Sequence, residues 1–277
     1  VCRGRRLEVF DRVHVMGIIN VTPDSFSDGG LYLDVDAAMK WGIEMAAEGA
    51  DIIDVGGEST RPGAESVDEA EERRRVVPVI QRLSQEVDVP ISIDTTKAAV
   101  AEAAIEAGAS IINDVSALRS DPRMAEVAWV SGAGVVLMHM LGNPRTMQEN
   151  PAYDDVVSEV RDSLTEWALK AQAGGITRER IAIDPGIGFG KTKEHNLELL
   201  ASLKSFTDTG YPVLAGPSRK SFIGVTLGDL PPAERLEGTA AAVAWCAANG
   251  ANVIRVHDVK EMVRVVRMTE AIGGHKR

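Results

Sequence analysis

The sequence predicts one α/β domain, a (β/α)8 barrel of the TIM type, on three observations. Short apolar runs rich in Val and Ile alternate with Ala/Glu/Arg-rich segments of helical periodicity from one end of the chain to the other. The alternation repeats about eight times, and strands buried on both faces with helical crossovers imply a parallel sheet. Each run also stops at or near a polar side chain, which is where α/β barrels keep their chemistry. A chain of 277 residues suits one such barrel. The rival, an open doubly wound sheet, is disfavoured because no G-x-G-x-x-G follows the first run.

The predicted strands are Val13–Ile19, Asp51–Val55, Ile91–Asp94, Ser110–Asn113, Gly134–Met138, Ile181–Asp184, Pro212–Ala215 and Asn252–Val256. Helices are expected over Val35–Glu48, Ser66–Gln85, Lys97–Ala107, Asp155–Ala173, His195–Lys204 and Pro232–Asn249. Gly49, Gly108, Gly174 and Gly250 stand where helix C-caps belong. The extra N-terminal piece Leu7–Phe10 is expected to form a small hairpin closing the barrel bottom. No linker or low-complexity segment divides residues 1–277, so a single domain is expected.

The composition narrows the function class. A net charge of −11 argues against nucleic acid or an anionic membrane as partner, though not against a small anion met by local cations. No run of 18 apolar residues suggests a membrane span, and no apolar segment follows the arginines of Val1–Arg6 as a signal peptide requires. Cys2 and Cys246 imply neither a disulfide framework nor a metal site, so a reducing, cytoplasmic setting is expected.

The strand tips carry the argument for a site. They present Asn20, the stretch Gly56–Gly63 with Arg61, then Asp94, Asn113, Met138–His139, Asp184, Gly216–Ser221 and Arg255–His257. Any one tip reads equally well as a turn former, an N-cap or a surface charge; eight together do not. Asp94, Asn113 and Asp184 offer acceptors and an amide, suited to a flat heterocycle with an N–H-rich edge that a carboxylate grips with two parallel bonds. Arg61, Lys220, Arg255 and His257 offer cations which, with Ser218 and the amides of Gly-rich turns, suit phosphate or carboxylate. The expected pocket is therefore bipartite, with a heterocycle deep inside and anions near the mouth. His14 and His139 read as structural, and Arg219 as a scaffold or surface charge. Phe26 and Phe189, in Gly-rich loops, are placed to flank an aromatic substrate, with loop anchoring an equal reading for Phe26. No G-x-S-x-G elbow, H-E-x-x-H or Cys/His set is present, so a hydrolytic triad and zinc are not expected. A hard divalent ion held largely by phosphate oxygens fits better, with Asn20 as a candidate ligand.

Read together, seven segments resemble the dihydropteroate synthase family of folate biosynthesis. They are Met16–Gly30, Asp54–Gly63, Ile91–Thr95, Ile112–Ser116, Asp184–Lys191, Ser218–Gly224 and Ile254–Val259, in order across most of the chain. The resemblance implies a transferase barrel that joins 6-hydroxymethyl-7,8-dihydropterin diphosphate to 4-aminobenzoate, giving 7,8-dihydropteroate and pyrophosphate. It implies Asp94, Asn113, Met138, Asp184, Gly216 and Lys220 around the pterin. Thr60, Arg61, Pro62, Phe189 and Ser221, with Lys220, are implied on the aminobenzoate side. Asn20, Arg61, Arg255 and His257 are implied at the diphosphate, with Mg2+ on Asn20, and the loops holding Phe26, Asp28 and Arg61 are expected to cover the substrates. Asp94, Asp184, Lys220, Arg255 and His257 are the expected catalytic set. The family is the target of sulfonamides, which mimic aminobenzoate, and Gly188–Lys191 has the ordinary form of a segment that is remodelled in insensitive members. A homodimer is also implied. The one departure is Pro217 ahead of Ser218-Arg219-Lys220. Two alternatives share the pterin pocket: a folate/corrinoid methyltransferase of the same barrel class and a non-catalytic pterin-binding protein. The methyltransferase should not need Arg61, Ser218–Ser221 or Arg255 with His257 as an anion set, and retention of both loops and all eight tips argues against a protein that has lost its chemistry.

Overall fold

The computed structural model describes residues 1–22, 31–59, 63 and 66–273. Among these, eight parallel strands run β1 His14–Asn20, β2 Ile52–Gly56, β3 Ile91–Asp94, β4 Ile111–Asp114, β5 Gly134–Met138, β6 Ile181–Asp184, β7 Leu214–Ala215 and β8 Val253–Val256. Their order is β6-β5-β4-β3-β2-β1-β8-β7, and the parallel bridge Ile183↔Val213 brings β6 to β7. The result is a nearly closed barrel with helices between successive strands. Every predicted strand is present, with ends displaced by at most two residues.

Strand alternation decides what lies inside and what lies outside. Val15, Ile19, Ile53, Val55, Ile93, Ile112, Leu137, Ile183, Ile254 and Val256 pack outward into the large core shared with the helices. The alternate residues Met16, Ile52, Ile111, Val136, Leu214 and Val253 form a separate cluster within the barrel, joined by Cys2, Leu7 and Val9. The N-terminal segment therefore plugs the bottom as expected, but its paired turn is the antiparallel bridge Cys2↔Arg5 rather than a hairpin at Leu7–Phe10. Two residues further along five of the strands the inward positions turn polar: Asp54, Asp94, Asn113, Asp184 and Arg255. The same two-residue repeat thus yields an apolar floor and, above it, a polar site.

The helix Glu69–Glu86 illustrates the outer layer. Asp68 caps it by accepting from the Glu71 amide at 2.8 Å, and Val76, Val79, Ile80 and Leu83 form its buried stripe. Pro78 lies inside it without ending it. The expected helix His195–Lys204 is two pieces, Lys193–Ala201 and Lys204–Thr207, and that over Pro232–Asn249 is a short 3-10 turn followed by Leu236–Ala248. Helices Met124–Ser131, Ser221–Thr226 and Val259–Gly273, for which no bounds were expected, are also present. Gly174 caps Val156–Ala173 as expected, and the left-handed residue is the next one, Gly175.

Candidate active site

The polar layer is organised around Arg255. Its Nε donates to Asp54 Oδ2 at 2.6 Å and its Nη2 to Asp94 Oδ2 at 2.8 Å. Asn113 Nδ2 donates to the same Asp54 oxygen at 3.1 Å. Burial opposes the Arg255 charge, but Asp54 and Asp94 more than offset it, so the guanidinium stays protonated. One cation facing two carboxylates leaves the cluster short of positive charge. Burial raises the Asp94 carboxyl to about 7, with Arg255 pulling it down and Asp54 adding to the rise. Asp94 Oδ1 and Asp54 Oδ1 are buried without a hydrogen-bond partner. Such atoms are costly unless a ligand donor reaches them.

Asp54 is the site residue that sequence reasoning missed. It is fully buried and holds both Arg255 and Asn113. The available signal was its place two residues before Gly56, on the inward face of β2. Arg255, expected among free anion-binding cations, is instead engaged by two acids. His257 also departs from the expected cation. Burial, with Arg255 and Arg219 nearby, lowers its imidazole to about 3, so it is neutral at pH 7. Ser218 Oγ accepts the His257 amide at 3.2 Å and lies 3.0 Å from Nδ1. The hydroxyl keeps its own proton, which it gives to Nδ1 in the tautomer protonated at Nε2.

Across the barrel, Asp184 ends β6. Its Oδ1 accepts the Gly186 amide at 2.7 Å, and burial raises its carboxyl to about 6 against the pull of that bond, Lys220, Lys191 and Arg255. Gly186 has φ +68, and a Cβ there would lie 1.9 Å from the His139 carbonyl oxygen, so the turn admits only glycine. Lys220 places Nζ 3.9 Å from the Phe189 ring centroid. Phe189, Met138, Met140, Met147 and Val115 form an apolar cluster at the ends of β4, β5 and β6. The acids and Arg255 are thus faced by an apolar wall.

The remaining expectations fall as follows. Asn20 ends β1, its Oδ1 near Gly56, and Gly216 lies beside Arg255 with only a Cβ-sized gap between them. Ser221 begins the helix that Lys220 precedes. Arg219 is scaffold: its Nε donates to Asp258 at 3.0 Å and its carbonyl accepts Arg235 Nη1 at 2.8 Å, which ties the loop after β7 to the end of β8. His14 and His139 are buried and bonded within the framework. Thr60, Arg61, Pro62, Phe26 and Asp28 lie outside the described residues. Beside Asp94 a cavity of about 260 Å³ opens between the loops after β3, β4 and β5. Glu58 and the buried Glu72 on its wall are both ion-paired to Lys97.

This geometry can now be set beside known proteins. The family model for pterin binding enzymes matches residues 16–257. The dihydropteroate synthase of Escherichia coli strain K12 is 50% identical over 258 residues, 93% of this chain and 91% of that one. The chain belongs to the dihydropteroate synthase family. The family's Synechocystis sp. member is 47% identical over 261 residues, 94% of this chain and 90% of that one. Among solved structures, the Xanthomonas albilineans dihydropteroate synthase with 4-aminobenzoic acid superposes with a TM-score of 0.93 at 48% identity, covering 99% of this chain and 97% of that one. The Yersinia pestis enzyme in a sulfonamide drug complex superposes at 0.92 with 45% identity, covering 98% of each chain. Family membership agrees with the position of the acids and the apolar wall on one barrel mouth.

Proposed function

We propose that the chain is a dihydropteroate synthase in activity as well as family, condensing 6-hydroxymethyl-7,8-dihydropterin diphosphate with 4-aminobenzoate to give 7,8-dihydropteroate and pyrophosphate. The observation that carries this is the buried, unpartnered Asp94 Oδ1 set in a layer with Asn113 and Asp184 and faced by Met138, Val115 and Phe189. A flat heterocycle bearing several N–H donors satisfies the acids, and its faces satisfy the apolar wall. The X. albilineans enzyme solved in complex with 7,8-dihydropteroate, 45% identical to this chain, supports the same reading.

The proposed reaction begins with the C–O bond between the pterin methylene and the diphosphate. The electron pair leaves with the diphosphate oxygen, and the methylene carbon becomes cationic in conjugation with the ring. Asp94 and Asp184 lie where negative charge stabilises that centre, in a layer shielded from solvent. The aminobenzoate nitrogen then attacks the carbon and loses a proton, so no protein nucleophile is needed. Positioning of the amine matters more than a strong base. Phe189, Lys220 and Ser221 form the proposed aminobenzoate side, to which the family resemblance also assigns Thr60, Arg61 and Pro62. Neutral His257 offers a ring N–H to a diphosphate oxygen, and Arg255 is the proposed cation on that side, its charge shared with Asp54 and Asp94. Sulfonamides that mimic aminobenzoate compete at the Phe189 side.

The donor chemistry fits Mg2+ carried in with the diphosphate. Among the described residues no cluster of three or more His, Cys, Asp or Glu could cage a metal, and Asn20 supplies a hard amide oxygen at the end of β1. Asn20 would hold the ion together with phosphate oxygens, and the bound ion would neutralise charge on the departing pyrophosphate. A homodimer in the cytoplasm completes the proposal. Exposed Trp245, Val225, Leu227 and Leu236 on the later helices supply apolar surface for pairing, and both cysteines are buried and unpaired.

Pyrophosphate release that requires both substrates tests the activity, and light scattering tests the dimer. Bond order is tested with pterin diphosphate carrying 18O at the bridging position. Without aminobenzoate, early C–O cleavage scrambles the label into non-bridging positions; a label that stays in place while the enzyme turns over normally with both substrates refutes departure before attack.

A further inference from the structure

A second buried basic side chain lies behind the site and has no part in the reaction as described; burial lowers the Lys191 amine to about 7, with Asp184 opposing the fall and Lys220 adding to it. Lys191 is 3% exposed, and its Nζ has three neighbours: His139 Nδ1 at 3.1 Å, the His139 carbonyl oxygen at 3.3 Å and the Phe189 carbonyl oxygen at 2.9 Å. In its protonated form the amine has three N–H donors, matched in number by these three neighbours. His139 directly follows β5, while Phe189 and Lys191 lie in the loop after β6. A single side chain thus staples the loop to the end of the neighbouring strand. The imidazole is itself wedged in place, stacked on Trp167 at 5.5 Å and 16°, with the Arg119 guanidinium 4.0 Å from the Trp167 ring centroid.

We propose that Lys191 is a positioning residue that seats Phe189 beneath Lys220 and so shapes the aminobenzoate side of the pocket. The inference rests on the reading of Phe189 as an aminobenzoate contact. The loop is otherwise held by the Phe189 amide on the Gly186 carbonyl at 3.0 Å, Asn196 Oδ1 on the Gly188 amide at 2.6 Å, Gln148 Nε2 on the Gly188 carbonyl at 2.8 Å and Tyr153 Oη on the Gly190 carbonyl at 2.8 Å. Those bonds fix the Phe189 amide within its own turn and the residues either side of it, whereas Lys191 ties the Phe189 carbonyl to the neighbouring strand. Its other two bonds anchor that carbonyl to the strand that carries Met138, the opposite part of the apolar wall. Burial lowers His139 to about 3, so the ring is neutral and Nδ1 is free to accept. Without the ammonium, two carbonyls and a ring nitrogen lose a buried donor, and the loop has reason to rearrange.

The test uses the full chain and four proteins: wild type, Lys191→Met, His139→Gln and Phe189→Ala. Lys191→Met is expected to raise KM for 4-aminobenzoate about tenfold while KM for pterin diphosphate changes less than about twofold. His139→Gln keeps the backbone carbonyls and loses only the ring acceptor, so the same split is expected at smaller amplitude, and it stands as the test if Lys191→Met does not fold. Amide exchange should rise at residues 188–190 in both variants and not on β1–β4. If Phe189→Ala raises the aminobenzoate KM but a folded Lys191 or His139 variant does not, the inference about Lys191 fails alone. If Phe189→Ala also leaves that KM unchanged, the Phe189 reading fails and the inference with it. Equal rises for both substrates assign Lys191 a general structural role and overturn the proposal.

Discussion

At the scale of single residues the site is defined by buried charge that does not balance within the protein. Asp184→Asn is expected to lower turnover at least about 100-fold, the usual effect of removing one aligned electrostatic group. Its melting temperature should not fall, because a burial-raised carboxyl is a source of instability in the empty protein. Two-substrate pyrophosphate release and a thermal melt measure the two outcomes. Arg255→Ala should act differently. It strands Asp54 and Asp94 in the interior, so a stability loss of about 3 kcal/mol in urea unfolding is expected in addition to lost activity. A variant as stable as wild type would mean that the two acids do not depend on Arg255. Asp94 also gives a pH dependence of definite sign. Its folded pKa, about 7, lies above the ordinary value of 3.8, so the folded state binds the proton more tightly than the unfolded chain. The linked stability is complete below the unfolded value and is lost as pH rises through 7. Asp94→Asn removes that loss. Its melting temperature relative to wild type should rise from pH 5 to pH 8, and a flat difference would show that Arg255 holds Asp94 ionised throughout.

At the scale of elements, the strands were legible because apolar length and a polar tip coincide. Ile91–Asp94, Gly134–Met138 and Ile181–Asp184 match expectation residue for residue, and the site acids Asp94 and Asp184 come with them. The helices were less legible where packing overrides propensity. Ser221–Thr226 is rich in β-branched residues and contains Gly224, and forms beside Arg235 and Leu230, neither adjacent in sequence. Met124–Ser131 has no clean apolar stripe, whereas Val259–Gly273 has one in Val259, Met262, Val263 and Val266 that was open to reading. Partner choice was illegible altogether: residue types at the tips indicate acids and cations, but not that Asp54 takes Arg255 or that His257 is buried neutral, since both depend on long-range contacts. The loop after β6 is the element where local sequence and tertiary contact agree best. Gly186→Ala brings a methyl group against the His139 carbonyl and strains a left-handed residue. A loss of at least about 2 kcal/mol is expected, read from the urea midpoint, with Asp184 displaced as its Gly186 bond moves. Normal stability with normal turnover would show that the loop relaxes freely.

At the scale of the whole molecule, the barrel has a seam. β7 is only two residues long, and β6 meets it through one bridge, with the Ile183 amide donating to the Pro212 carbonyl at 2.9 Å. Asn252 reinforces the seam from the end opposite the site. Its Oδ1 accepts the Val213 amide at 2.8 Å and its Nδ2 donates to the Val9 carbonyl at 2.8 Å. Its backbone carbonyl meanwhile accepts the His14 amide at 2.8 Å. One buried side chain thus joins the strand before the seam's weak point to the N-terminal plug, beside the backbone that links β8 to β1. Conservation of stability at the bottom of a barrel and chemistry at its top predicts a separable phenotype. Asn252→Ala leaves a buried amide and a carbonyl unpaired, so a loss of about 2 to 3 kcal/mol is expected. Amide exchange should rise at Ile183, Val213 and Leu214 and along the N-terminal segment. Both substrate KM values should stay within about twofold of wild type at a temperature where the variant is folded, because Arg255 and its acids sit two inward layers above the change. Loss of substrate affinity with intact stability would place Asn252 in communication with the mouth of the barrel and break the division between its two ends.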